Sequence, residues 1–225
     1  MKFTYYGHSC FGAEIDGVNL LFDPFISPNP LAKGVAIDDI PCDYILLSHG
    51  HMDHVADVEH IAKRTGATIV GSYELATYYG AKGLKHHPMN TGGSWDFGTW
   101  KVKCVNAIHS SVLPDGTYAG SAMGFVVATD HRSFYYSGDT ALHMDMKLIA
   151  EFYPVDMAFI SMGDNFTMGI EDATIASKFI QCDTIVAMHF DTFPYIMLDR
   201  PKAQLSFEIL NKQLIIPTIG ESFEL

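Results

Sequence analysis

Short apolar runs alternate along this chain with turns rich in Gly, Pro, Asp and Asn, a pattern that predicts many short strands interleaved with a few helices. Strand-like runs lie at 3–6, 9–15 and 18–22, and the pair Asp16-Gly17 closes the last two as a hairpin. Asp23-Pro24 ends that sheet edge, and the prolines and Gly of 26–41 mark a loop. The apolar run 44–47 reads as a buried strand. After it, Val55, Val58, Ile61 and Ala62 are spaced as on one face of a helix over 55–64 that stops at Gly66. A strand at 67–70 and a helix at 73–79 complete a β-α-β rhythm.

The middle of the chain returns to strands. Residues 100–108 run into His109, 122–129 form an apolar strand, and 133–137 end in Gly138-Asp139-Thr140. A helix over 142–152, a strand over 157–161, a helix over 171–180 and a strand over 184–188 that delivers His189 follow. A helix over 200–210, with Pro201 near its start, and a strand over 214–217 close the chain. Strands-then-helix occurs twice, with no linker, low-complexity tract or residue-level repeat, so a single domain over 1–225 is expected.

Composition narrows the class. Of 225 residues 48% are hydrophobic and only 18% charged, which describes a packed globular chain. The net charge of −12 repels phosphate backbones, so nucleic acid is not an expected partner. Cys10, Cys42, Cys104 and Cys182 are far apart and form no CxxC pair, which reads as reduced thiols and a cytoplasmic location. No run approaches the roughly 18 apolar residues of a membrane span, and no apolar signal core follows Met1. Apolar content and aromatic loops make a homo-oligomer plausible.

The candidate chemistry concentrates in Ser48-His49-Gly50-His51-Met52-Asp53-His54, directly after the strand at 44–47. A chain of this composition is expected to show His-x-His-x-Asp-His by chance only about 0.002 times, which sets aside a solvated His-rich turn. Alternate residues leaving a strand point the same way, so His49 and His51 can converge on one cation, while Asp53 and His54 could face a second or the other side of the first. Imidazole and carboxylate suit zinc, manganese or iron, and the absence of nearby cysteine argues against a closed structural site. His109, Asp139 and His189 each lie just past an apolar strand, where open sheets place their sites. Seven ligands are too many for one ion. Shared between two they give three or four each, with Asp139 placed to bridge.

In order and type, Asp23, His49-x-His51-x-Asp53-His54, His109, Ser137-Gly138-Asp139-Thr140 and His189 resemble the metallo-β-lactamase-fold superfamily over nearly the whole chain. Gly7-His8-Ser9-Cys10-Phe11, Gly163-Asp164-Asn165-Phe166-Thr167-Met168-Gly169 and Met188-His189-Phe190-Asp191-Thr192-Phe193-Pro194 further resemble its bacterial and archaeal metal-dependent hydrolases, which are similar to L-ascorbate-6-phosphate lactonases. The resemblance implies an α/β fold of four layers, αββα, with two facing mixed sheets flanked by helices. It implies that His49, His51 and His109 hold one divalent metal, and Asp53, His54, Asp139 and His189 another. Zinc is the first expectation, manganese or iron the others. Asp23 would orient the ligand loop by accepting hydrogen bonds. His51, where the oxygen-reducing diiron branch carries glutamate, favours hydrolysis over redox chemistry.

Metal-bound water, its pKa lowered to about 7, would attack a small anionic ester, lactone or phosphodiester, with Asp53 as the catalytic residue that orients it or collects its proton. The alternatives are a phosphodiesterase or nuclease of the same fold and a metal-binding regulatory protein without turnover. β-Lactamase activity itself is not expected. His8, Asp164, Asn165 and Thr167 are candidate substrate contacts, although a hydrogen-bonded histidine under the ligand loop and a capped turn explain them equally well. Arg200 and Lys202 could bind a phosphate or simply be solvated. The aromatic loop 190–195 is placed to cover a substrate.

Overall fold

Two seven-stranded sheets, each half antiparallel and half parallel, face one another in the computed structural model, which describes Met1–Leu225. In the first sheet β1 (Lys2–Gly7), β2 (Cys10–Ile15) and β3 (Val18–Phe22) form an antiparallel meander. It continues in parallel through β4 (Tyr44–Leu46), β5 (Thr68–Ser72) and β6 (His86–Met89). In the second sheet β7 (Ser94–Asp96), β8 (Lys101–Asn106), β9 (Met123–Ala128) and β10 (Ser133–Tyr136) are antiparallel. There β11 (Met157–Ser161), β12 (Thr184–Met188) and β13 (Gln213–Ile215) extend it in parallel. The last strand, β14 (Ser222–Glu224), crosses back to pair with β1.

Alternation of side chains builds the layers. Along β2 and β3, Phe11, Ala13, Leu20 and Phe22 point to the core between the sheets, while Cys10 and Leu21 belong to the cluster on the outer face. The outer cluster joins Ile45 and Leu47 to Val58 and Ile61 of α2 (Val58–Thr65) and to Leu75 of α3 (Tyr73–Ala81). Strands covered on both faces need apolar residues at every position, and so the runs are continuous. On the far side α4 (Met146–Phe152), α5 (Ile170–Ile180) and α6 (Arg200–Glu208) cover the second sheet through Ile149, Ala173, Ala176 and Phe207. The sheets lock through stacked rings: Phe11 lies 4.4 Å from Phe22 at 2° and 4.2 Å from Phe159 at 6°. Truncating Phe11 would open a cavity costing about 3–5 kcal/mol.

Three expectations shift. The helix expected over 55–64 is two pieces, α1 (Met52–Val55) and α2, broken at Asp57. The Asp57 carboxylate leaves the helix register to accept from Ile26 N at 2.6 Å and Ser27 N at 2.9 Å, pinning the proline-rich loop. The helix expected from 142 begins at Met146. The strands β6, β7 and β14 carry His, Ser, Asp and Glu without apolar alternation, because edge or near-edge strands bury little, and periodicity alone could not find them.

Candidate metal centre

The candidate ligands follow the carboxyl ends of strands at the rim where the two sheets meet, Asp53 and His54 on the short helix α1. β4 runs through Leu47 and Ser48 to His49; β10 ends two residues before Gly138-Asp139; β12 ends at Met188 and hands over His189. Two hydrogen bonds stitch the rim across the sheets, His189 N to His8 O at 2.9 Å and Met123 N to Ser48 O at 3.0 Å. Three side chains turn inward from left-handed backbone: His8 at φ 57, Asp23 at φ 42 and His189 at φ 58. Such φ values cost a non-glycine residue about 1–2 kcal/mol, and their concentration at one rim is the pattern of a functional site. Close approach also needs glycine at 163, where an added Cβ would run into the His189 carbonyl oxygen.

The side chains converge in two groups, and a third set, Asp23, His49 and His54, overlaps both. His49, His51 and His109 form one; Asp53, His54 and His189, with His8, form the other. Asp139 sits between them: its Oδ2 is 3.0 Å from His189 Nε2, 3.2 Å from His54 Nε2, 3.7 Å from His109 Nε2 and 4.0 Å from His49 Nε2. His49 Nε2 and His51 Nδ1 lie 3.0 Å apart. The buried atoms His54 Nε2 and Asp139 Oδ1 have no hydrogen-bond partner. His54 Nε2 is thus close to Asp139 without being aligned to it, as expected of two ligands aimed at a third atom. Unsatisfied buried polar atoms are costly, and this donor set of nitrogen and carboxylate oxygen fits divalent zinc, manganese or iron.

The opposite edges of the rings are held. Ser48 Oγ contacts His49 Nδ1 at 3.0 Å, Ser110 Oγ contacts His51 Nε2 at 3.3 Å, and Asp23 Oδ2 accepts from His54 Nδ1 at 2.8 Å. Asp23 also accepts from Ser48 N at 2.8 Å, Ser48 Oγ at 2.5 Å and Tyr136 Oη at 2.6 Å. Four donors thus hold the buried Asp23 carboxylate, which fixes the His54 ring and the turn at Ser48.

Burial dominates the electrostatics, and carboxylates reverse it selectively. Burial pushes His49 well below its ordinary pKa and lowers His51 and His109, keeping their rings neutral and able to ligate. Burial alone would also lower His54 and His189. The Asp139 carboxylate, aided by Asp23 and Asp53 at His54 and by Asp53 at His189, outweighs it; His54 rises well above its ordinary value and His189 to about 9. Conversely burial would raise Asp53 and Asp139, yet the surrounding imidazoles hold both below the usual carboxylate range. In the metal-free protein the positive charge of the cluster therefore sits on His54 and His189, while His49, His51 and His109 stay neutral.

A cleft of about 550 Å³ opens above the cluster, walled by Met52, Ser110, Phe166, Phe193, Pro194 and Tyr195. His8 lies 1% exposed behind the cluster, its Nε2 3.0 Å from Asp53 Oδ2 and its Nδ1 3.0 Å from Thr192 Oγ1. Asp164 and Asn165 adopt left-handed backbone, and Asp164 Oδ1 caps Asn165 N at 2.8 Å. Asp164 lines a neighbouring cavity of about 430 Å³ with Lys202, and Arg200 a third of about 620 Å³. From the 163–169 loop it is Phe166 that faces the cleft. Sequence reasoning passed over Phe166, Met52 and Ser110; the flanking glycines signalled a turn but not which side chain it presents.

Comparison with known proteins identifies the family. The family described as "Beta-lactamase superfamily domain" matches residues 18–190. A "UPF0173 metal-dependent hydrolase" of Christiangramia forsetii is 52% identical over 100% of both chains, and one of Flavobacterium johnsoniae is 51% identical over 100% of both. Among solved structures, Igni18, a metallo hydrolase of the archaeon Ignicoccus hospitalis, superposes with a TM-score of 0.91 at 31% identity, covering 100% of this chain and 98% of that one.

Proposed function

The chain belongs to the metal-dependent hydrolases of the β-lactamase superfamily, and on that premise we propose that it works through a dinuclear centre on a small ester, lactone or phosphodiester. The observation that carries this reading is Asp139 Oδ2, within 4.0 Å of imidazole nitrogens from both ligand groups, so that its carboxylate could serve both. His49, His51 and His109 would hold one ion, and Asp53, His54 and His189 the other, with Asp139 between. Bound there, the ions would supply a hydroxide at neutral pH and polarise the substrate oxygen.

The remaining work belongs to the chain's own groups. Asp53, 23% exposed, faces the cleft and would orient an attacking water or collect its proton. His8 fixes that carboxylate from behind. Asp23 keeps His54 and the 48–51 turn in register. The phosphodiesterase reading has weaker support, since no Lys or Arg lines the cleft.

Metal analysis of the purified protein, combined with hydrolysis of bis(p-nitrophenyl) phosphate and a lactone panel by wild type and Asp139→Asn, tests the proposal. About two ions per chain in wild type, fewer in the variant, and turnover lost with them are expected. One ion per chain with full activity would overturn the dinuclear reading; absence of any transition metal would overturn the whole.

A further inference from the structure

Resting on the hydrolase reading above, we infer that the substrate is an uncharged ester or lactone whose apolar substituent packs against an aromatic wall formed by Phe166, Phe193 and Tyr195, and not a phosphorylated one. No Lys or Arg lines the metal cleft. The two basic residues nearest in sequence to its wall are both engaged elsewhere: Arg200 bonds Asp191 at 2.8 Å and lies over the Phe190 ring, and Lys202 reaches Glu171 at 3.3 Å. Both line other cavities. A phosphate remote from the reacting centre would therefore lose its hydration with no cation to replace it, in a protein of net charge −12.

The wall offers the opposite chemistry. Phe166 and Tyr195 come from separate loops and meet edge to face, centroids 6.3 Å apart at 81°. They stay 50% and 73% exposed and line the cleft, so apolar ring surface is open to a bound molecule. Both loops are fastened. Asp191 N donates to Ile196 O at 2.7 Å and Asp191 Oδ1 accepts from Leu198 N at 2.8 Å; Met168 N donates to Thr140 O at 3.1 Å. The rings are thus presented on a rigid frame beside the ligands, the preorganisation that makes apolar contact productive.

The test is a series of γ-lactones with growing alkyl chains, γ-butyrolactone to γ-octalactone, set beside 6-phosphogluconolactone, with the metal-loaded protein. Expected is a kcat/KM rising at least about 10-fold over the four added methylenes, with the phosphorylated lactone at least about 10-fold poorer than γ-octalactone. Phe166→Ala and Tyr195→Ala each flatten the chain-length slope, and Phe166→Arg narrows the gap to the phosphorylated lactone. A flat slope, or equal use of the phosphorylated lactone, overturns the inference while leaving the hydrolase reading intact. Binding is read independently by saturation-transfer NMR with 5-butyl-2-pyrrolidinone, a lactam that is not turned over. Transfer to its butyl protons that vanishes in Phe166→Ala/Tyr195→Ala supports the wall even if no lactone is cleaved and the hydrolase reading fails; no transfer in wild type overturns it.

Discussion

The His8 ring bridges Asp53 and Thr192, with Nε2 3.0 Å from Asp53 Oδ2 and Nδ1 3.0 Å from Thr192 Oγ1. An ionised carboxylate only accepts, so Nε2 carries the proton and Nδ1 accepts from the threonine hydroxyl. Burial, then the neighbouring His189, depresses His8 to about 4, keeping the ring neutral and its tautomer fixed. His8→Phe keeps an aromatic ring, somewhat larger, and removes the donor. Metal affinity at the Asp53 group is expected to fall about 10–100-fold, with His8→Gln partly restoring it. Titration with zinc after chelation, followed by calorimetry, measures this; unchanged affinity in His8→Phe would show that Asp53 is oriented without it.

Asp23 collects four donors in a site closed to water. Asp23→Asn turns one acceptor oxygen into a donor facing donors, so a loss of at least about 2 kcal/mol of stability is expected. Metal affinity should drop with it, because His54 loses the group that fixes its ring. Urea unfolding of the metal-free proteins isolates the first effect, and a midpoint within error of wild type would contradict it.

Gly163 is required by contact, not by φ, since an added Cβ would collide with the His189 carbonyl. Gly163→Ala is expected to cost about 1–3 kcal/mol and to displace His189, lowering metal content more than Gly17→Ala or other turn substitutions of equal thermal cost. Comparing metal stoichiometry at matched Tm decides whether the effect is local.

Metal uptake should release protons. His189 rises from 6.5 to about 9 in the metal-free fold, and ligation needs the neutral ring. Apparent affinity is thus expected to climb between pH 6.5 and 9. The sign for stability runs the other way: the raised pKa stabilises the metal-free protein fully below about 6.5, and that contribution disappears as pH rises through 9. Calorimetry at pH 7 in two buffers of different ionisation enthalpy reads the proton count; a value of zero would refute the linkage. Chelation should lower Tm, by more at pH 8.5 than at pH 6.5.

What the sequence alone determined is what depends on local order: the strand runs, the hairpin at Asp16-Gly17, and His49-x-His51-x-Asp53-His54 behind a buried strand, because side-chain period and turn chemistry are written in neighbouring residues. The order of His109, Asp139 and His189 behind later strands already hinted at one rim. Only the tertiary structure decided which nitrogen of each ring faces inward, because that depends on partners far away in the chain, Asp23 for His54 and Ser110 for His51. It also moved His8 behind Asp53, took Arg200 and Lys202 out of the cleft, and brought Phe166 against Tyr195 across two loops. Such pairings join segments that only the folded chain brings side by side, and no period along a single strand or helix records them.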